Sequence, residues 1–193
     1  MNRENCVALA RKLGAEYELT YHNDAQATFQ AIIDAVKEEG ITLTDPVSEE
    51  IIFRSLAGLA GGHALTGNGN HGALSGAAAV ISLLTNVNRA YLLENRDHRW
   101  INYDNVYKSI FNDFIREYRG LTDKHVIWAL YGKWWNYWDP EAWQLYLKEM
   151  EQLGHFKEES SPVSAAAGWA AGYVLDIYPN PRTFEQVKKE HNL

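Results

Sequence analysis

The chain has 193 residues and a net charge of −7, with 46% hydrophobic and 22% charged residues. This length and composition suit one domain with a sizeable core. The basic residues are scattered and form no stripe, which argues against a nucleic-acid partner. The longest apolar run, Ala77 to Leu84, is shorter than the roughly 20 residues of a membrane-spanning helix. We therefore expect no membrane partner either.

Cysteine usage narrows the chemistry further. Cys6 is the single cysteine, so no intrachain disulfide can form, and CxxC and CxxCH motifs are absent. We expect neither a cysteine-ligated cluster nor a c-type haem. A lone cysteine and an N-terminal segment without a secretory apolar region favour the reducing cytoplasm.

Apolar residues recur at helical spacing along the chain, and alternating strand-like runs are absent. Gly, Pro, Asn and Asp separate the apolar segments, as is typical of helix ends. The predicted helices are 2–18, 24–39, 46–59, 73–93, 103–118, one that begins at 123 and carries His125, Trp128 and Tyr131, 140–153, 162–177 and a last short helix near 184–189. These segments predict an all-α fold, a compact single-domain bundle of six to eight helices over residues 1–193 with a glycine-rich helix–helix joint.

The glycine-rich joint, residues 56–76, reads LAGLAGGHALTGNGNHGALSG. A double glycine, a polar loop and His71-Gly-Ala-x-x-Gly open an apolar helix. This arrangement resembles a bacterial redox-active protein family named for its C…GCAxxG…C…C cysteine pattern. Asn23–Ala27, Tyr118–Leu130 and Ser161–Leu175 resemble its other motif segments in the same order, so the resemblance covers about residues 20–177.

The family cysteines are replaced in this chain. The corresponding positions hold Asp24, His71, His125 and a residue near Ser161–Val163. Thiol redox chemistry, which the resemblance would imply, therefore does not carry over. The resemblance implies instead that Asp24, His71 and His125 converge. Imidazole and carboxylate groups are ligands for one divalent metal such as Zn, Fe or Mn; the alternative is drift to ordinary polar residues.

Each candidate site residue has a catalytic and a structural interpretation. His71 begins an apolar helix, where the helix N-terminus disfavours imidazolium, so a neutral ring could act as base or metal ligand. It could equally cap the helix, as could Asp24. His63, after two glycines, could move a proton beside His71 or lie on the surface. His125 could be a satisfied core histidine. We expect His22, His98, His155 and His191 at the surface, and no nucleotide, because the joint lacks a P-loop lysine.

The segment from residue 128 to 138 contains six aromatic residues. Such residues can line a pocket for a flat or apolar ligand, or form a homodimer interface. We favour either role over pure core packing, on the premise that the last four occupy all sides of a helix. The six residues are Trp128, Tyr131, Trp134, Trp135, Tyr137 and Trp138.

These observations favour a small-molecule enzyme in which the family's cysteine site has become a His/Asp site. His71, His125, His63 and Asp24 would perform non-redox acid–base or Lewis-acid chemistry on an apolar or aromatic substrate. A lyase, isomerase or hydrolase fits such a site better than an oxidoreductase. The alternative is a non-catalytic family member that binds a ligand or a protein, and non-covalent haem binding by histidine is a third hypothesis.

Overall fold

The computed structural model describes residues 1–192, which form eleven α-helices and no β-strand. The all-α fold is confirmed, with more helices than the six to eight expected. A π-helical turn, Tyr107–Phe111, joins the sixth and seventh helices. The helices are α1 Arg3–Tyr21, α2 Asp24–Glu38, α3 Pro46–Ser55, α4 Gly72–Thr85, α5 Arg89–Glu94, α6 Arg99–Val106, α7 Asn112–Tyr118, α8 Asp123–Tyr131, α9 Pro140–Leu153, α10 Pro162–Ile177 and α11 Phe184–His191.

The π-helical turn divides the helix expected over 103–118 into α6 and α7, and residues in the left-handed conformation end two other helices. Asn86 has φ 50° and ends α4, so the segment expected as one helix over 73–93 divides into α4 and α5. Gly132 has φ 68° and ends α8 after Tyr131. The aromatic residues beyond it therefore lie in a loop rather than on all sides of a helix. Within residues 1–192, no helix has the length and apolar character needed to cross a membrane.

The main core lies among α1, α2, α4 and α10. Phe29, Ile32 and Ile81 are fully buried there, and small residues such as Ala170 allow the helices to approach closely. A second, smaller core forms where the loop after α8 packs on α9. Its buried members are Ile127, Trp135, Tyr137, Tyr146 and Met150. The candidate site lies between the two cores.

Gly76 sets the separation of α2 and α4. A methyl group on Gly76 would lie 2.9 Å from the backbone nitrogen of Phe29 and closer still to the carbonyl oxygen of Ala25. Since both contacts are to backbone atoms, the helices themselves would have to move. The glycine-rich joint thus permits close helix packing, as the sequence indicated.

We expect Gly76→Ala to lower the free energy of unfolding by about 1–3 kcal/mol, because overpacking between two helices outweighs the better helix propensity of alanine. Urea unfolding followed by circular dichroism measures this change. Gly58→Ala is the matched control, since a methyl group on Gly58 meets nothing within 4 Å. Equal stability of the two variants would contradict the close approach of α2 and α4.

Cys6 is buried, at 1% exposure, and its Sγ lies 3.5 Å from the carbonyl oxygen of Ala35. Burial raises the pKa of this thiol to about 11. At pH 8 only roughly one thiol in a thousand is then ionised, and the thiolate is the reactive form. We expect native protein to react with a thiol reagent at least about tenfold more slowly than urea-unfolded protein. Fast reaction of the native chain would show that Cys6 is accessible.

Candidate active site

Three helix N-termini meet beside the glycine-rich joint. Asn23 caps α2, His71 caps α4 and Thr122 caps α8, each through its side chain. Because Asn23 and Thr122 act as caps, the next residues, Asp24 and Asp123, can direct their carboxyl groups elsewhere. Both carboxyl groups approach His71.

Asp24 connects α2 to the joint and to α4. Its Oδ1 accepts hydrogen bonds from the backbone N–H groups of Ala25, at 3.1 Å, and Gly61, at 3.4 Å. Its Oδ2 accepts one from Gly72 at 2.8 Å. A side chain on Gly72 would overlap the Asp24 carboxyl group, so this position requires glycine.

The imidazole of His71 lies between the two carboxyl groups and is only 3% exposed. Its Nδ1 is 3.3 Å from Oδ2 of Asp24 and accepts a hydrogen bond from the Ala73 N–H at 3.2 Å. Its Nε2 is 3.8 Å from Oδ1 of Asp123, which is too long for a hydrogen bond. Within residues 1–192, Nε2 makes no hydrogen bond, so it is the nitrogen available for chemistry.

Burial shifts the proton affinities of these groups in opposite directions. It raises the pKa of Asp24 to about 7, with a further contribution from the negative charge of Glu18, and the three backbone N–H groups oppose the shift. Burial lowers the pKa of His71. The ring is therefore neutral near pH 7, as the sequence predicted, although burial is the larger cause. A carboxyl group and an imidazole in contact can then exchange one proton.

Asp123 is held from two directions. Tyr137 donates a hydrogen bond to Oδ2 of Asp123 at 2.9 Å, and the backbone N–H of Asp123 donates one to the carbonyl oxygen of Gly69 at 3.0 Å. The side chain is buried, and burial raises the pKa of its carboxyl group. The charge interaction with His71 acts in the opposite direction and lowers this pKa. Asp123 is thus a fixed carboxyl group facing the free nitrogen of His71.

A cavity of about 240 Å³ opens beside these groups, with Glu18 and His155 on its wall. Ser161 donates a hydrogen bond to Oε2 of Glu18 at 2.6 Å, and Nε2 of His155 lies 3.3 Å from Oε1. Nδ1 of His155 is 2.6 Å from the hydroxyl of Tyr131. This network fixes Glu18 at the cavity surface. The aromatic residues that line the cavity are Trp143, Tyr146 and Phe156.

The structure brings together only part of the expected ligand set. Asp24, His71 and Asp123 each offer a ligand atom within 4.8 Å of the others. His125 lies outside this group: it is exposed, and its Nδ1 contacts the hydroxyl of Thr122 at 2.7 Å. Residues two apart on a helix point in nearly opposite directions, so α8 can direct Asp123 inward or His125 inward, but not both. His63 is exposed, packs near Gly69 and does not line the cavity.

The six aromatic residues of the 128–138 segment do not line the cavity described within residues 1–192. Trp135 and Tyr137 belong to the second core, while Tyr131 and Tyr137 position His155 and Asp123 through hydrogen bonds. Trp134 is half-buried against that core. Trp128 and Trp138 are 61% and 70% exposed, and the homodimer through this segment stays a prediction.

Sequence reasoning missed three cavity residues: Asp123, Glu18 and His155. A signal for Glu18 was present, because it continues the buried stripe of α1 four residues after Gly14. His155 is 4% exposed rather than at the surface, since Gly154, with φ 67°, ends α9 and redirects the chain. His98, at 8% exposed, also corrects the expectation of a surface position.

Comparison with known proteins finds no family model that matches the chain, no similar curated protein and no similar solved structure. The resemblance to the cysteine-patterned redox family therefore stays a prediction. The function has to be argued from the site itself.

The raised pKa of Asp24 has a consequence for stability. In the unfolded chain this carboxyl group has its ordinary pKa of 3.8, whereas in the folded chain its pKa is about 7. The folded state therefore binds more protons over this interval, and the contribution of Asp24 to the free energy of unfolding falls as pH rises. We expect Asp24→Asn, which removes the titration, to be more destabilising at pH 5 than at pH 8.

Urea unfolding of wild type and variant at the two pH values measures this difference. His71 is present in both proteins, so its own titration largely cancels. Asp97→Asn, on a carboxyl group that is 46% exposed, is the matched control and should have the same effect at both pH values. A destabilisation by Asp24→Asn that is equal at pH 5 and pH 8 would contradict the raised pKa.

Proposed function

We propose that the protein is an enzyme that acts on a small organic molecule by acid–base or Lewis-acid chemistry at His71. The observation that carries the proposal is a buried imidazole between two carboxyl groups, whose Nε2 has no hydrogen-bond partner within residues 1–192. Clusters of titratable groups with shifted pKa values occur preferentially at functional sites.

The Asp24–His71 pair supplies a route for a proton. Nδ1 accepts from the Ala73 N–H in the structure, so the cycle begins with a change of tautomer. With Asp24 ionised, a proton on Nδ1 can be donated to Oδ2 at 3.3 Å instead, and the lone pair then on Nε2 can remove a proton from a substrate. The resulting imidazolium is stabilised by both Asp24 and Asp123. Nε2 can then return the proton to another substrate atom. Such a cycle serves an isomerase, a lyase or a hydrolase.

A divalent cation would fit the other side of the ring. Two ligands that share a metal ion at about 2.1 Å each lie roughly 3–4 Å apart, and Nε2 of His71 and Oδ1 of Asp123 are separated by 3.8 Å. The oxygens of Asp24 already accept hydrogen bonds from three backbone N–H groups, and Oδ2 lies 3.3 Å from Nδ1 of His71. Asp24 therefore suits the role of the carboxylate that accepts Nδ1–H and orients a metal-bound histidine. Zn, Fe or Mn would supply Lewis-acid activation of a substrate oxygen or of water.

The cavity restricts the substrate. Its volume of about 240 Å³ is below the roughly 300–1,000 Å³ of pockets that hold drug-sized ligands. Trp143, Tyr146 and Phe156 provide apolar surface on its wall. The substrate we propose is therefore a compact molecule with an apolar part.

A non-catalytic binding protein is the second candidate, and specific contacts favour it. His71 caps α4, and Asp24 accepts hydrogen bonds from three backbone N–H groups. These contacts stabilise the fold, so both residues have a structural role even if the protein catalyses no reaction. In that case the chain would keep a family fold as a ligand-binding module. Substrate turnover that disappears in a His71 variant distinguishes the two candidates.

We expect protein purified without a polyhistidine tag to contain about one Zn, Fe or Mn per chain by elemental mass spectrometry. His71→Ala and Asp123→Asn should each lower this content at least about tenfold, because each removes a ligand. His125→Ala is the matched control: it removes an imidazole from α8 outside the site and should leave the metal content unchanged.

Absence of metal from wild type, even after reconstitution, would remove the Lewis-acid form of the proposal and leave direct acid–base catalysis. That form is tested by screening small esters, amides, hydroxy acids and amines for turnover. We expect turnover to be lost in His71→Ala and retained in His125→Ala. A substrate that both variants process equally would remove His71 from the reaction.

A further inference from the structure

The cavity beside His71 has an unusual combination of walls, with three carboxyl groups and three aromatic rings. From this combination we infer that its ligand is a small organic ammonium ion. The inference rests on the proposed function in one respect, namely that the same cavity is the substrate site. It adds the charge and the chemical class of the molecule that occupies it.

The charge of the wall is the first argument. Glu18, Asp24 and Asp123 line the cavity, and within residues 1–192 the lining contains no lysine or arginine. The three helix N-termini at the site carry about half a positive charge each, which offsets roughly half of the charge that the three carboxyl groups carry when all are ionised. A negative excess therefore remains at the cavity. The chain's net charge of −7 further favours the approach of cations.

Like charges also lie close together on this wall. Asp24 and Asp123 offer carboxylate oxygens within 4.8 Å of each other. A cation placed beside them would relieve the repulsion between the two ionised groups. One divalent metal shared by His71 and Asp123 would leave the charge of Glu18 on the wall, because Glu18 lies outside the group of residues that can share one ion.

The aromatic rings favour an organic cation over a second inorganic one. Trp143 and Tyr146 have ring centroids 5.5 Å apart at an interplanar angle of 44°, and Phe156 also lines the cavity. Ammonium groups bind over such rings within about 6 Å of the centroid, and they bind most strongly where water is excluded. A metal ion with its water shell gains little from apolar rings, whereas N-methyl or N-methylene groups pack against them.

The free nitrogen of His71 adds a directional requirement. The side chain of His71 is only 3% exposed, and its Nε2 has no hydrogen-bond partner within residues 1–192. A ligand hydroxyl or N–H near the charged end would satisfy it. An amino alcohol or a similar compact amine has both features and suits a cavity of about 240 Å³.

The test uses three probes of one shape that differ in charge. Choline is the cation, 3,3-dimethylbutan-1-ol is its neutral isostere, and 3,3-dimethylbutanoate is the anion. Isothermal titration calorimetry on the wild-type protein at pH 8, with and without a chelator, gives the three dissociation constants. We expect choline to bind at least about tenfold more tightly than the alcohol, and the anion not to bind. Equal binding of choline and the alcohol, or no binding of either, would overturn the inference.

A charge-removing variant assigns the preference to the cavity. Glu18→Gln keeps an acceptor for Ser161 but removes the negative charge, and we expect the preference for choline over the alcohol to fall at least about threefold. Glu151→Gln is the matched control, because this exposed residue lies on α9 outside the cavity and should leave the preference unchanged. An equal effect of both variants would place choline elsewhere on the chain.

The outcomes separate this inference from the proposed function. Choline binding without metal or turnover would support the ligand class while leaving only a binding role. Metal at His71, or turnover that depends on His71, together with no preference for choline would support the enzyme and overturn the ligand class.

Discussion

The Asp24 carboxyl group is the contact on which the site depends. It accepts backbone hydrogen bonds from its own helix, from the glycine-rich joint and from the start of α4, and it also contacts His71. Three parts of the chain that are distant in sequence are thereby fixed around one side chain. The cost is a buried carboxyl group with a pKa raised to about 7. Burial of a charge is costly, and it is tolerated here because three N–H groups and an imidazole surround the charge.

The position of the cavity follows from the presence of two cores. The main core consists mostly of small and aliphatic residues, and the small residues let α1, α2, α4 and α10 pack closely. The second core is aromatic, and it places the loop after α8 and helix α9 over the end of that bundle. Large rings and closely packed alanine-rich helices leave space where they meet. Asp24, His71 and Asp123 lie beside that space because α2, α4 and α8 begin there.

The family resemblance grouped Asp24 and His71 with His125, whereas the structure places Asp123 of α8 beside them. Both His125 and Asp123 are plausible ligands, and residue type could not choose between them. The choice depends on how α8 is rotated about its axis, which is set by the packing of Val126 and Ile127 and by the Tyr137 hydrogen bond to Asp123. The aromatic segment was misjudged for a related reason. Its rings were expected around a helix, but Gly132 ends the helix, and the loop then contributes to a core.

The sequence by itself determined the helical fold class, the glycine positions that allow close packing, and the expectation that His71 is neutral, since these follow from local spacing and from residue types. The tertiary structure alone decided that Asp123, Glu18 and His155 share a cavity with His71 and Asp24. Convergence of residues so far apart in the chain depends on helix rotation and on where each helix ends. Neither the rotation of a helix nor its end can be predicted from one segment of sequence alone, because both are fixed by contacts with neighbouring helices.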